Sequence, residues 1–128
     1  MILTKKGTAR ISISPQLSQL VQAATTEVEG YIIGDFIIHE SLGYIENRIS
    51  KANDWTIAHI PSGMRIVSGI RKLGAAKKYA TRLDQLFPKH GWLFGMQFRQ
   101  NMFVTNEMAN NIGEYVNAIP RVQDRTVI

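Results

Sequence analysis

Cysteine is absent from the 128 residues. That excludes disulfides, thiolate metal sites and cysteine nucleophiles. No run approaches the roughly 18 apolar residues of a membrane span. The stretch Met1–Arg10 is mostly polar, carries Lys5, Lys6 and Arg10, and is followed by no apolar run of signal-peptide length. A cytoplasmic protein without membrane attachment is the expectation. Catalytic signatures are missing too. The histidines His39, His59 and His90 never stand at i, i+4, and no HExxH occurs. There is no G-x-S-x-G elbow, and GYIIG from Gly30 to Gly34 lacks the lysine and hydroxyl of a phosphate loop. Asp35, Glu40, Glu46 and Asp54 are scattered, without the spacing of a magnesium-dependent nuclease. These absences predict a non-enzyme with no cofactor and no metal.

Charge is missing by segment rather than overall. Residues 24–47 hold five acids (Glu27, Glu29, Asp35, Glu40 and Glu46) and no base. Residues 48–99 hold ten bases against two acids, Asp54 and Asp84. The net charge of +5 is therefore the sum of a −5 block and a +8 block, with +3 before them and −1 after. A concentrated basic block is a field that attracts polyanions. With 45% apolar and 20% charged residues, the chain has the balance of a globular protein, and its length fits a single domain over 1–128.

Ala9, Ile11 and Ile13 alternate as a short strand. Ser14 and Pro15 then read as N-cap and first helical residue, with Leu17, Leu20, Val21 and Ala24 on one helical face. EGYIIGDFIIHE, β-branched and aromatic, reads as strand, its glycines allowing a bulge or close crossing. Leu42–Ile49 reads as a further strand after a turn near Gly43. Asp54–Ile60 and Met64–Ile70 form a hairpin around the loop Pro61, Ser62 and Gly63. Ile70–Phe87 is the strongest helix, with Leu73, Ala76, Ala80, Leu83 and Phe87 on its apolar side and Arg71, Ala75, Lys78 and Arg82 on another. Trp92, Phe94, Met96 and Phe98 alternate as a core-facing strand, with Met102–Val104 after a turn. A last helix begins at Thr105 or Asn106, turns Met108, Ile112, Tyr115, Val116 and Ile119 inward and stops at Pro120; residues 121–128 form a flexible tail. The fold class predicted is α+β, a mostly antiparallel sheet with two or three helices packed on it.

The hairpin and its helix hold the candidate site. A three-residue loop would place Trp55, Ile57 and His59 on one face with Arg65 and Val67. That mixture suits a sheet lying in a groove, with cations for phosphate and planar groups for bases. Trp55 and Ile57 with Ile60, a turn ending in Gly63, a second strand ending near Gly69, and a helix with Ala75, Ala76 and Tyr79 resemble the ethylene-response-factor type of DNA-binding domain. The arm-binding domain of some integrases has a similar build. The resemblance covers Asp35 to Leu86. It implies a three-stranded sheet in the major groove, backed by one helix, with Trp55, His59, Arg65 and the Gly63 turn at the matching positions. FIIHESLGYIENRIS offers only Arg48 where that family has a run of arginines. RKLGAAKKYATRLDQL also resembles the end of a double-stranded RNA-binding domain, where Arg71 and Lys72 fall on phosphate-gripping positions.

The function expected is a small non-enzymatic nucleic-acid-binding protein, DNA favoured, in keeping with an accessory protein of a phage or mobile element. Phosphate contacts are assigned to Arg65, Arg71, Lys72, Lys77, Lys78 and Arg82, and any base preference to Trp55, His59 and Arg65. Two other classes stay open. One is an inhibitor or adaptor that docks an acidic protein, the acidic 24–47 segment allowing a homodimer. The other is a binder of a small anion such as a nucleotide.

Overall fold

A computed structural model of the chain describes residues 5–13, 25–45, 48–86 and 106–120, with backbone alone at 43–45, 48–52 and 106–109. Five strands run β1 Lys5–Ser12, β2 Thr25–Ile33, β3 Phe36–Ile45, β4 Arg48–His59 and β5 Met64–Ile70. Two helices follow, α1 Leu73–Leu86 and α2 Asn106–Ala118. Each strand pairs antiparallel with the next, in the order β1-β2-β3-β4-β5. The α+β architecture is thus an antiparallel sheet with two helices on it.

EGYIIGDFIIHE, expected as strand throughout, is a hairpin: Ile33 pairs with Phe36, and Gly34–Asp35 make the turn. Gly34 has φ +55. A positive φ at the first of two loop residues is what a type II′ hairpin requires, and glycine supplies it without strain. The turn expected near Gly43 is not there. Gly43 lies inside β3 and pairs with Ser50, so β3 runs on to Ile45.

The second hairpin differs from expectation by one residue. Its loop is Ile60–Gly63, so His59 pairs with Met64 and Ala58 with Arg65. A one-residue slip moves a side chain to the opposite face. Arg65 therefore does not share a face with Trp55 and His59. The ladder also shifts register between Trp55 and Ile57 and between Ile57 and Ala58, each time with an extra residue on β5, and Gly69 there has φ +85. Such bulges bend a strand and raise its twist. The bend brings the β4–β5 loop round to β1, where the Ser12 amide donates to the Gly63 carbonyl at 2.8 Å. The sheet is curled to a near-closed trough at that end.

The two faces of the curl are both filled. On the outer face Ile33, Phe36, Ile38, Ile57, Val67 and Ile70 meet Ala76, Ala80 and Leu83 of α1 and Ile112 and Ile119 of α2. Burial of each large aliphatic or aromatic side chain there stabilises by roughly 1.5–3 kcal/mol. Tyr79 and Tyr115 join the helices edge to face at 6.3 Å. The inner face carries Ile11, Val28, Ile37 and Ala58. On β1 this sidedness is plain, because Ile11 is buried while Lys6, Thr8 and Arg10 on the other face are exposed. The expected helix from Ser14, the strand Trp92–Arg99 with Met102–Val104, Phe87 and the tail from Arg121 lie outside the described residues. Among those described, no helix is long and apolar enough to cross a membrane.

Candidate nucleic-acid interface

Helix α1 opens one residue after Lys72, whose carbonyl accepts from the Ala76 amide at 3.0 Å. Lys72 is thus the N-cap residue and Arg71 stands just before it. The helix packs through Ala76, Ala80 and Leu83, and its rotation follows from those small and branched residues. Arg71, Lys72, Lys78 and Arg82 are left exposed. Lys72 and Arg82 are separated by about 15 Å of helix, a length over which duplex DNA carries on the order of ten phosphate charges. Arg82 donates to the Gln85 side chain at 3.1 Å. Lys77 is turned inward and sits over the Tyr31 ring, 4.4 Å from its centroid.

The acids of the same segment are buried. Asp84, the helix's own carboxylate, is 8% exposed and accepts from the Asp35 amide at 3.1 Å. Asp54 is 3% exposed. These are the two acids of the whole 48–99 segment. Glu27 stands opposite Arg10 in the β1–β2 register, on a different part of the sheet. No acid occupies the first turn of α1. The helix therefore presents cations at its positive dipole end, an arrangement that an approaching anion relieves.

The hairpin residues assigned to base reading are placed differently. His59 is 1% exposed, its Nδ1 bonded to the Ser62 hydroxyl at 2.8 Å and its ring 5.3 Å from that of Phe36. It is part of the core under the helices and does not stand open to a nucleic acid, as its assignment to base reading requires. Trp55 is half-buried against the same core, 6.3 Å from Tyr31. Arg65, half-buried, is on the inner face beside Ala58. The Trp55–His59 face is the one α1 and α2 cover, so it does not lie open to a groove. Burial lowers the Arg65 pKa from its usual value, and the guanidinium still stays charged.

His39 was visible in the sequence only as a histidine beside a glutamate. It is 1% exposed and on the inner face, opposite Thr56, while Glu40 faces the other way opposite Trp55. Its Nδ1–H donates to the Glu40 carbonyl at 2.8 Å. A carbonyl only accepts, so the proton is on Nδ1 and the neutral ring keeps an acceptor lone pair on Nε2. Burial holds its pKa below the usual histidine value; the Glu40 bond opposes this and the nearby Arg65 charge adds to it. Among the described residues, no group of three or more His, Asp or Glu side chains is placed to hold a metal ion. In comparisons with known proteins, no family model, no curated protein and no solved structure matches the chain.

Proposed function

We propose that this chain is a non-enzymatic nucleic-acid-binding protein that grips phosphates, DNA in the first instance, through Arg71, Lys72, Lys78 and Arg82. The observation that carries the reading is the separation of charge at α1: the cations are exposed while both acids of the same segment, Asp54 and Asp84, are buried. A basic face neutralised by its own carboxylates would have no need of a polyanion. Neither of those two carboxylates stands exposed beside the cations. The hairpin face is omitted from the proposal because His59 and Trp55 are engaged in packing. Arg65 is half-buried on the inner face, and Lys77 spans from α1 to Tyr31. Binding would be governed by electrostatics and weakly selective for sequence, since phosphate contacts position a protein without reading bases.

Fluorescence anisotropy with labelled duplex and single-stranded oligonucleotides tests this. Four phosphate contacts give a slope of log K against log salt of about −3.6, so affinity falls about 150-fold between 50 and 200 mM salt. Combining Arg71→Ala, Lys78→Ala and Arg82→Ala should leave a slope near −0.9. No binding to any oligonucleotide below about 50 mM salt, where such contacts are strongest, would overturn the proposal. Retention by an acidic protein instead would assign the same face to a protein partner.

A further inference from the structure

β2 and β3 pair only from Gly30 with His39 to Ile33 with Phe36. Before Gly30, β2 runs with β1 from Thr25, and after His39, β3 runs with β4 as far as Ile45. The sheet therefore forks. The fork is closed at Gly30 and His39 and opens toward Thr25, and a cavity of about 690 Å³ lies in it. Among the described residues, β2 has no strand partner on its gap side from Thr25 to Glu29.

Antiparallel pairing fixes which backbone groups that edge offers. Ile33 and Phe36 flank a two-residue turn, so they form a hydrogen-bonded pair, and such pairs recur at every second residue. Tyr31 with Ile38 is the next. By the same alternation Glu29, Glu27 and Thr25 turn their N–H and C=O groups to the gap, while Val28 and Thr26 turn theirs to β1. A row of backbone donors and acceptors along an open edge is a template for a further strand.

The side chains of the fork are sorted by face. Val28 is buried in the inner cluster, and Leu42 packs against it. Glu27 and Glu29 stand exposed on the outer face. Glu27 has Arg10 opposite it on β1, whereas Glu29 has the uncharged Thr8. His39 stands at the closed end. It is 1% exposed and lines the cavity, its Nδ1–H is committed to the Glu40 carbonyl, and its Nε2 has no hydrogen-bond partner. That lone pair takes a donor.

We infer that the fork binds the N-terminal segment of a partner protein, added to β2 as an antiparallel strand opposite Thr25–Glu29. Strand addition draws affinity from main-chain hydrogen bonds and specificity from alternate side chains. The first residue lies opposite Glu29, against the closed end. Its α-ammonium has donors for both the Glu29 carbonyl and His39 Nε2, and its side chain is Lys or Arg, facing the Glu29 carboxylate. The second residue is apolar and packs on Val28 and Leu42. A strand in the opposite direction would bring carbonyl oxygens to His39, which accept only. The site needs neither the Tyr31 ring nor the phosphate-binding face of α1.

Amide hydrogen exchange of the full chain, read from ¹H–¹⁵N spectra, tests this with the peptide Lys-Val-Thr-Val-Thr amide. Without peptide, the Glu27 and Glu29 amides should exchange fast and the Val28 amide, bonded to β1, slowly. Saturating peptide should slow Glu27 and Glu29 by about tenfold or more and leave Val28 unchanged. N-methylation of the third peptide residue, whose N–H faces β2, should abolish that protection. Acetylation of the α-amino group should weaken binding about fivefold, as loss of one hydrogen bond does. Glu in place of the peptide's Lys should weaken it about tenfold, and Glu29→Lys should restore binding of that Glu peptide. No protection at about 10 mM peptide, well above a millimolar dissociation constant, overturns the inference. So does equal binding of the N-methylated, acetylated or Glu peptide. Glu27 and Glu29 amides already slow in dilute protein would give the edge to the chain itself, and amides that slow only as protein concentration rises would give it to a second copy; either result overturns the inference.

Discussion

Replacing Gly34 by alanine tests how α1 is held to the sheet. Gly34 has φ +55, a left-handed conformation that costs an L-residue roughly 1–2 kcal/mol. Its new Cβ would also stand where the Asp84 carboxylate is. That carboxylate accepts the Asp35 amide at 3.1 Å, and a hydrogen bond to a charged group contributes about 1.5–3 kcal/mol. Gly34→Ala should therefore destabilise by about 3–4 kcal/mol, strain and lost bond together. Asp84→Ala loses that bond without the strain, at a cost of about 2 kcal/mol or more. In the double variant there is no carboxylate to displace, so the alanine adds only its strain. The pair should then cost about 3–4 kcal/mol, some 2 kcal/mol less than the sum of the single effects. Urea unfolding at constant slope measures all four proteins. Additivity within about 0.5 kcal/mol would refute the reasoning, because it would mean that Gly34 and Asp84 do not share that space.

Three other perturbations follow from the same geometry. Ser62→Ala removes the hydroxyl that bonds His59 Nδ1 at 2.8 Å and accepts the Met64 amide at 3.2 Å; it should cost about 1–3 kcal/mol in urea unfolding and leave oligonucleotide affinity unchanged. Gly30→Ala pushes a Cβ against the Ile38 carbonyl, a backbone atom that cannot rotate away; a loss above about 4 kcal/mol, or failure to fold, is expected by circular dichroism. His39 has a folded pKa below its unfolded value of 6.5, so the unfolded chain binds more protons and stability falls as pH drops through that value. Its contribution is fully present above pH 6.5 and is lost toward the folded pKa at up to about 1.4 kcal/mol per pH unit. The difference between wild type and His39→Gln, measured from pH 8 to about 5, isolates that dependence.

Much of this architecture was legible in the residues. Alternation located β1 and the β4–β5 hairpin, and helical spacing at Leu73, Ala76, Ala80 and Leu83 gave α1 its buried side. Ile112 and Ile119 were recognisable in the same way as the buried side of α2. Errors arose where one residue decides between two outcomes. GYIIGDFII has strand propensity throughout, and only the positive φ at Gly34 turns it into two strands. Gly43 offers the same residue type and stays in a strand, because β3 and β4 pair through it. The extra loop residue at Ile60 reversed the side on which Arg65 stands relative to His59. On the site, exposure of Arg71, Lys72, Lys78 and Arg82 follows from α1's spacing, whereas the fork between β2 and β3 depends on where their pairing stops, at the meeting of Gly30 with His39. Separation in sequence hides such a meeting until register is known.

The opposed charge blocks of the sequence thus become two surfaces with different chemistry rather than one neutralised seam. Glu27 and Glu29 sit on β2 beside β1, and Glu40 beside Trp55, all around the fork. The cations of α1 lie on the far side of the helix from Ala76, Ala80 and Leu83, which hold it to the sheet. Lys77 is the one α1 cation that crosses between them, and it does so through Tyr31, a wall of the fork. Lys77→Met removes that charge and keeps most of the apolar stem, so the salt slope of oligonucleotide binding, carried by Arg71, Lys72, Lys78 and Arg82, should stay at about −3.6. A slope shallower by about 0.9 would mean that Lys77 grips phosphate as well.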